Sequence, residues 1–171
     1  MPAAQKPLSV EDLIAFYNLK PHVEGGWYAE TYRSAGIILQ AALPGVFSGP
    51  RRYSTLIMYL LRPGDKSALH RLHQDEIWHF YLGGPLELVH ISPQGVLTRV
   101  RLGQDVLGGE AAAYVVPAGD WFGARPCPGA DFCLLGCTVA PGFDFADFEA
   151  ADGKELEKVF PDLAEVIREF T

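Results

Sequence analysis

The chain has 171 residues, 49% of them hydrophobic and 20% charged, with a net charge of −7. That is the composition of a folded globular chain and not of a disordered one, and the length fits one domain spanning residues 1–171. The acidic balance argues against a nucleic-acid partner, because Arg51-Arg52 is too small a basic face to neutralise phosphates, though it leaves room for a local basic pocket that takes an anionic small molecule.

Met1–Pro7 is polar and lacks an apolar signal core, and no stretch approaches the ~20 apolar residues that cross a bilayer. A cytoplasmic protein with no membrane partner is expected. Ser9-Val-Glu-Asp12 resembles a capping box, and Leu13, Ile14, Phe16 and Tyr17 follow at helical spacing. A short helix over Ser9–Asn18 is therefore expected, ended by Pro21. Trp27–Tyr32 alternates as a strand does. Ser54–Leu61 is apolar on both faces and reads as a central strand, and Glu76–Leu82 is aromatic-rich. Leu86–Ile91 and Val96–Leu102 flank the turn Ser92-Pro-Gln-Gly95, and Ala112–Val116 and Phe132–Val139 complete the strands. A closing helix is expected, capped by Asp162, with Leu163, Val166, Ile167 and Phe170 on one stripe. Short strands without intervening helices favour an all-β, closed antiparallel barrel or jelly roll, with the two helices packed on its outside. The three cysteines form no CxxC pair, so Cys133 and Cys137 read as small buried hydrophobes.

The chemistry concentrates after the turn Arg62-Pro-Gly-Asp65. His70, His73 and His79 fall within ten residues, beside Asp75 and Glu76. Imidazole and carboxylate are the groups that hold borderline metals or move protons near neutral pH.

Here the sequence resembles the cupin superfamily. The first cupin motif places five residues between a glycine and a histidine, as between Gly64 and His70, and six between a glutamate and a glycine, as between Glu76 and Gly83. The second contains Pro-x-Gly, here Pro117-Ala-Gly119. Glu24-Gly-Gly-Trp27, His70–Tyr81, Val116–Gly119 and Val139–Asp144 make the chain most similar to a branch that has no settled activity and is related in fold to the deoxythymidine-diphosphate-sugar epimerases. The resemblance implies a cupin double-stranded β-helix barrel, a pocket inside it and a homodimer. In metal-binding cupins three histidines and a glutamate hold the ion. His70 and Glu76 match two of those positions, while Leu72 and Phe122 occupy the others. His73 could substitute only if the loop shifted by one residue. No cofactor is therefore expected, with a weakly bound divalent metal on His70 and Glu76 as the alternative.

Alternation puts Glu76, Trp78 and Phe80 on one face and Ile77, His79 and Tyr81 on the other; the resemblance implies that the Glu76 face is the inner one, so His79 is expected as a structural histidine hydrogen-bonded under a neighbouring sheet. His70 and Glu76 are the expected catalytic pair. Trp78, Phe80, Tyr59, Trp121, Arg33 and His73 are expected around the pocket, with Trp121 at its rim and Arg33 as an anion anchor. The paired glycines Gly25 and Gly26 suggest a tight backbone passage. Asp144, Asp147 and Glu149 read as a locally capped loop. The expected function is a cupin that binds a small molecule around His70 and Glu76. The alternative is an isomerase or epimerase of a sugar-like or nucleotide-sugar substrate, with a histidine base and a tyrosine acid. A metal-dependent oxygenase is a third reading.

Overall fold

The computed structural model describes residues 8–171, so the polar segment Met1–Pro7 lies outside them. Helix α1 (Val10–Tyr17) starts from the expected capping box: Ser9 Oγ accepts from the Asp12 amide, and the Asp12 carboxylate accepts from the Ser9 amide. Asn18, in the left-handed region, ends the helix, so it stops before Pro21 can act.

The strands that follow are β1 (Lys20–Pro21), β2 (Trp27–Arg33), β3 (Ile37–Ile38), β4 (Arg51–Arg52), β5 (Thr55–Leu61), β6 (Ser67–Arg71) and β7 (Asp75–Gly83). Next come β8 (Leu86–Ile91), β9 (Leu97–Leu102), β10 (Ala113–Val116), β11 (Trp121–Pro126), β12 (Cys133–Ala140) and β13 (Glu149–Ala150). Helices α2 (Gly153–Val159) and α3 (Ala164–Phe170) end the order. Every pairing between these strands is antiparallel. One sheet runs β1-β2-β5-β12-β7-β10, the other β13-β6-β11-β8-β9, and β3-β4 form a small ribbon. The architecture is the jelly-roll barrel that the resemblance implies.

Three apolar clusters follow from strand alternation. Tyr59, Trp78 and Cys137 of the first sheet meet Leu88, Phe122 and Ala124 of the second between the two layers. The opposite face of the second sheet, with Leu69, Val89, Ile91 and Trp121, is covered by Leu156, Val166, Ile167 and Phe170 of the last two helices. The outer face of the first sheet, with Met58, Leu60 and Leu134, is covered by Leu13 and Leu19 at α1.

The closing region differs from the expected single helix. Asp152 caps α2 by accepting from the amides of Lys154 and Glu155. A 3-10 turn over Pro161–Leu163 precedes α3, and Asp162 caps neither. Strands β6 and β11, which the sequence did not announce, matter most, because they carry His70 and Phe122.

Candidate active site

Between the sheets lies a cavity of about 360 Å³. Its inner wall is formed by the buried side chains Thr55, Tyr59, Leu72, Glu76, Trp78, Cys137 and Val139. His22, Glu24, Tyr28, Ile57 and Phe143 form the middle, and the exposed Lys20, Glu30, Arg33, Asp144 and Phe145 form the mouth.

Glu24 is placed there by its two glycines. Gly25 has φ +108°, and a Cβ on it would sit 2.2 Å from the Lys66 carbonyl oxygen; one on Gly26, φ +68°, would strike Leu61 and the Leu60 carbonyl. Only glycine fits so close a passage in this backbone conformation. The segment is held as the Ala68 amide donates to the Glu24 carbonyl and the Tyr59 hydroxyl to the Gly25 carbonyl at 2.7 Å.

A bulge in β6 completes the support. Phe122 pairs with His70 but Ala124 pairs with Ser67, so β6 has one residue more than β11 between those pairs. The extra residue turns Ser67 to the same side as His70. Ser67 Oγ then donates to Glu24 Oε2 at 2.8 Å.

His70 stands behind Glu24, not on the cavity wall. It is 2% exposed. Phe122 lies tilted against one side of its ring at 4.1 Å, and Phe148 is stacked at 5.4 Å. Its Nδ1 donates to the Ala68 carbonyl at 2.8 Å, which leaves Nε2 as the lone-pair nitrogen, 3.4 Å from Glu24 Oε1. Burial lowers the His70 pKa to about 4. The Glu24 amide donates to His22 Nδ1 at 3.3 Å, so a neutral His22 carries its proton on Nε2. Burial also lowers the His22 pKa, which the nearby Glu24 carboxylate partly offsets.

The two carboxyls are set apart by surroundings. Burial raises the Glu24 pKa, while His22 and the Ser67 hydroxyl oppose the rise. Glu76 is pushed up to about 8 by burial and by the charge of Glu24, against the Cys137 thiol that hydrogen-bonds to it. Among the described residues no cation pairs with Glu76. The Glu24 charge is one of the causes that hold the proton on Glu76 near neutral pH. Burial and the neighbouring Glu76 hold the Cys137 thiol well above its usual value, so it is not a nucleophile here.

Of the residues singled out by sequence, Glu76, Trp78, Tyr59 and Arg33 line the cavity. Arg33 is held by two hydrogen bonds to Glu30 and by the Phe143 carbonyl. Phe80 packs into the barrel core away from the cavity wall. His73 is exposed, its ring edge-on to Phe47. Trp121 begins β11 on the face opposite Phe122, so it packs under the closing helices with the Arg71 guanidinium 4.5 Å above its ring, and it does not reach the cavity rim. The Tyr59 hydroxyl, one candidate acid of the epimerase reading, is spent on the Gly25 carbonyl. His79 bonds Thr138 Oγ1 at 3.1 Å on the outer face. The loop after β12 is capped as read, with Asp144 accepting from the Ala146 amide, but Asp147 does more. It forms a buried ion pair with Arg51 and accepts from Gln74.

Glu24, His22, Tyr28 and Lys20 were not singled out as site residues. The glycine pair was the available signal for Glu24, because a backbone pressed against the barrel carries the preceding side chain inward.

The donor set does not fit a cupin metal. The Leu72 side chain is in the cavity wall where the second histidine would be, and the Phe122 ring lies against His70 where the third would be. His70 Nδ1 is bound to a carbonyl, and among the described residues no group of three or more His, Cys, Asp or Glu side chains is arranged to hold a metal ion.

The family model described as cupin superfamily (DUF985) matches residues 11–151. The chain belongs to the cupin superfamily. An uncharacterised protein of Saccharomyces cerevisiae, YML079W, is 31% identical over 163 residues, covering 91% of this cupin and 81% of the yeast protein. A hypothetical protein from Leishmania major superposes with a TM-score of 0.87 at 34% identity, covering 96% of this cupin and 99% of that chain. Protein SO0799 from Shewanella oneidensis gives 0.84 at 38%, covering 96% and 98%.

Proposed function

We propose that this cupin binds a small molecule in the barrel cavity and moves protons on it, as an isomerase does, with Glu24 as base and Glu76 as acid. The observation that carries this reading is the pair itself: two buried carboxyls on one cavity, one held protonated up to about pH 8 and the other backed by two histidines and a serine. Titratable groups pushed apart in this way suit opposite halves of one proton transfer.

The step balances within these groups. Ionised Glu24 takes a proton from a carbon beside a carbonyl, Glu76 gives its proton to the carbonyl oxygen, and an enol results. Return of a proton to a different atom or face gives the isomer and restores both groups. His70 acts through Glu24 as a positioning residue, and its Nε2 lone pair accepts when Glu24 is protonated. The histidine–tyrosine version of this chemistry, drawn from the epimerase resemblance, has less support, because the Tyr59 hydroxyl is committed to a backbone carbonyl. Membrane-crossing chemistry has no element to carry it in helical form: no helix of the described residues is long and apolar enough.

The test is deuterium uptake from D2O, followed by NMR, across a panel of small hydroxy- and keto-compounds. Wild type is expected to label at least one compound beside its carbonyl, and Glu24→Gln to slow labelling by about 100-fold or more. Labelling unchanged in Glu24→Gln, or no labelling of a compound that binds, overturns the assignment.

A further inference from the structure

Polar groups are unevenly distributed along the cavity, and the unevenness constrains what can fill it. At the inner end the groups available are donors. Trp78 is 1% exposed and forms part of the wall, yet its indole Nε1 has no hydrogen-bond partner among the described residues. A buried N–H left unmade is costly, and it marks a place where an acceptor belongs. Glu76, two residues away on the same face of β7, has a carboxyl proton to give near neutral pH. An anion does not suit this end. The nearby ionisable groups are Glu24, Glu76 and Cys137, and the imidazoles of His22 and His70 are both driven toward their neutral forms.

The mouth carries the cations Lys20 and Arg33 beside the carboxylates Glu30 and Asp144. Lys20 is exposed and lines the cavity, and its ammonium lies 5.2 Å from the centre of the Tyr28 ring. Among the described residues it has no carboxylate partner, unlike Arg33, which Glu30 neutralises at 2.6 Å. Ile57, Leu72 and Val139 add hydrocarbon to the wall. The volume of about 360 Å³ is at the small end of ligand pockets, ~300–1,000 Å³.

We propose that the cavity takes a compact molecule with an anionic group, carboxylate or phosphate, held by Lys20 at the mouth, and a carbonyl or hydroxyl oxygen that accepts from Trp78 and Glu76 at the inner end. This rests on the acid–base reading of the same cavity and adds the substrate class to it.

Isothermal titration tests this with two matched pairs of probes, 4-oxopentanoate against its methyl ester and ribose 5-phosphate against ribose. One charged probe is expected to bind wild type about tenfold more tightly than its neutral counterpart, and Lys20→Ala is expected to abolish that preference while leaving the neutral probe unchanged. Preference for the first pair assigns a carboxylate, for the second a phosphate. Trp78→Phe is expected to weaken charged and neutral probes alike. If the neutral probes bind as well as the charged ones, or the charge preference survives Lys20→Ala, the substrate class is wrong while the acid–base pocket stands. If none of the four binds, the substrate class is wrong, and deuterium uptake across the wider panel decides the acid–base pair separately.

Discussion

Glu76 on β7 and His70 on β6 face the same interior from opposite sheets, and burial moves their proton equilibria in opposite directions. This has a measurable consequence for stability. From its ordinary value of 4.5 up to about 8, folded Glu76 keeps a proton that the unfolded chain has lost, so stability falls as pH rises through that window. From about 4 up to 6.5 the unfolded chain binds a proton that folded His70 refuses, so there stability rises with pH. His22 acts in the sense of His70, and Glu24 in the sense of Glu76. Above pH 6.5 the histidine effects fade, while the Glu76 effect persists to about 8. Between pH 6.5 and 8 the free energy of unfolding of wild type is expected to fall by about 2 kcal/mol relative to that of Glu76→Gln, in which the histidine effects are the same. Parallel profiles for the two proteins in urea titrations contradict the assignment. Glu76 was legible in the sequence because a motif spacing marks it. The role of Glu24 was not, since it follows from where a backbone passes and not from any spacing between titratable residues. His90 shows the same limit. It bridges Asp120 at 2.7 Å and the Tyr114 hydroxyl at 2.9 Å, a buried cross-sheet tie made by three residues far apart in the chain.

At the scale of elements, the two glycines most exposed to test are Gly25 and Gly64. Both have positive φ, +108° and +84°, so alanine carries a similar backbone penalty of about 1 kcal/mol at each. Their surroundings differ. A Cβ at Gly64 meets nothing within 4 Å, whereas one at Gly25 collides with the Lys66 carbonyl oxygen, a backbone atom that cannot swing away. Gly64→Ala is expected to cost ~1 kcal/mol and leave ligand binding intact, and Gly25→Ala to cost at least ~2 kcal/mol more and to weaken binding by displacing Glu24. Equal costs in chemical denaturation contradict the close passage. Strongly alternating or doubly apolar segments such as β5, β7, β8 and β12 were readable because their period is intrinsic to the sequence. Strands β6 and β11 were not. Ser67-Ala-Leu-His70 is bulged, so its inward residues, Ser67 and His70, lose the period of two. Trp121 misled for a related reason: the strand begins at that residue, directly after the Pro-x-Gly turn, and its first side chain goes outward.

At the scale of the molecule, the sandwich covers its own outer faces. The closing helices lie over one sheet and α1 over part of the other, which leaves the space between the sheets as the enclosed apolar region. Carboxyls placed there by a glycine pair and a strand alternation are taken out of water without a strong cation, which raises both, while His22 and Ser67 at Glu24 and the Glu24 charge at Glu76 set them apart. The fold class and the approximate location of the site were therefore legible from resemblance and hydrophobic period. The chemistry was not, because it depends on desolvation, which only the packed barrel sets. The protonation state of Glu76 is the most direct measurement. Infrared spectra of wild type and Glu76→Gln, compared across a pH titration, should show a carboxylic-acid carbonyl band that belongs to Glu76, is present at pH 7 and is lost with a midpoint near 8. A spectrum with no protonated carboxyl at pH 7 contradicts the acid–base pair on which the proposed function rests.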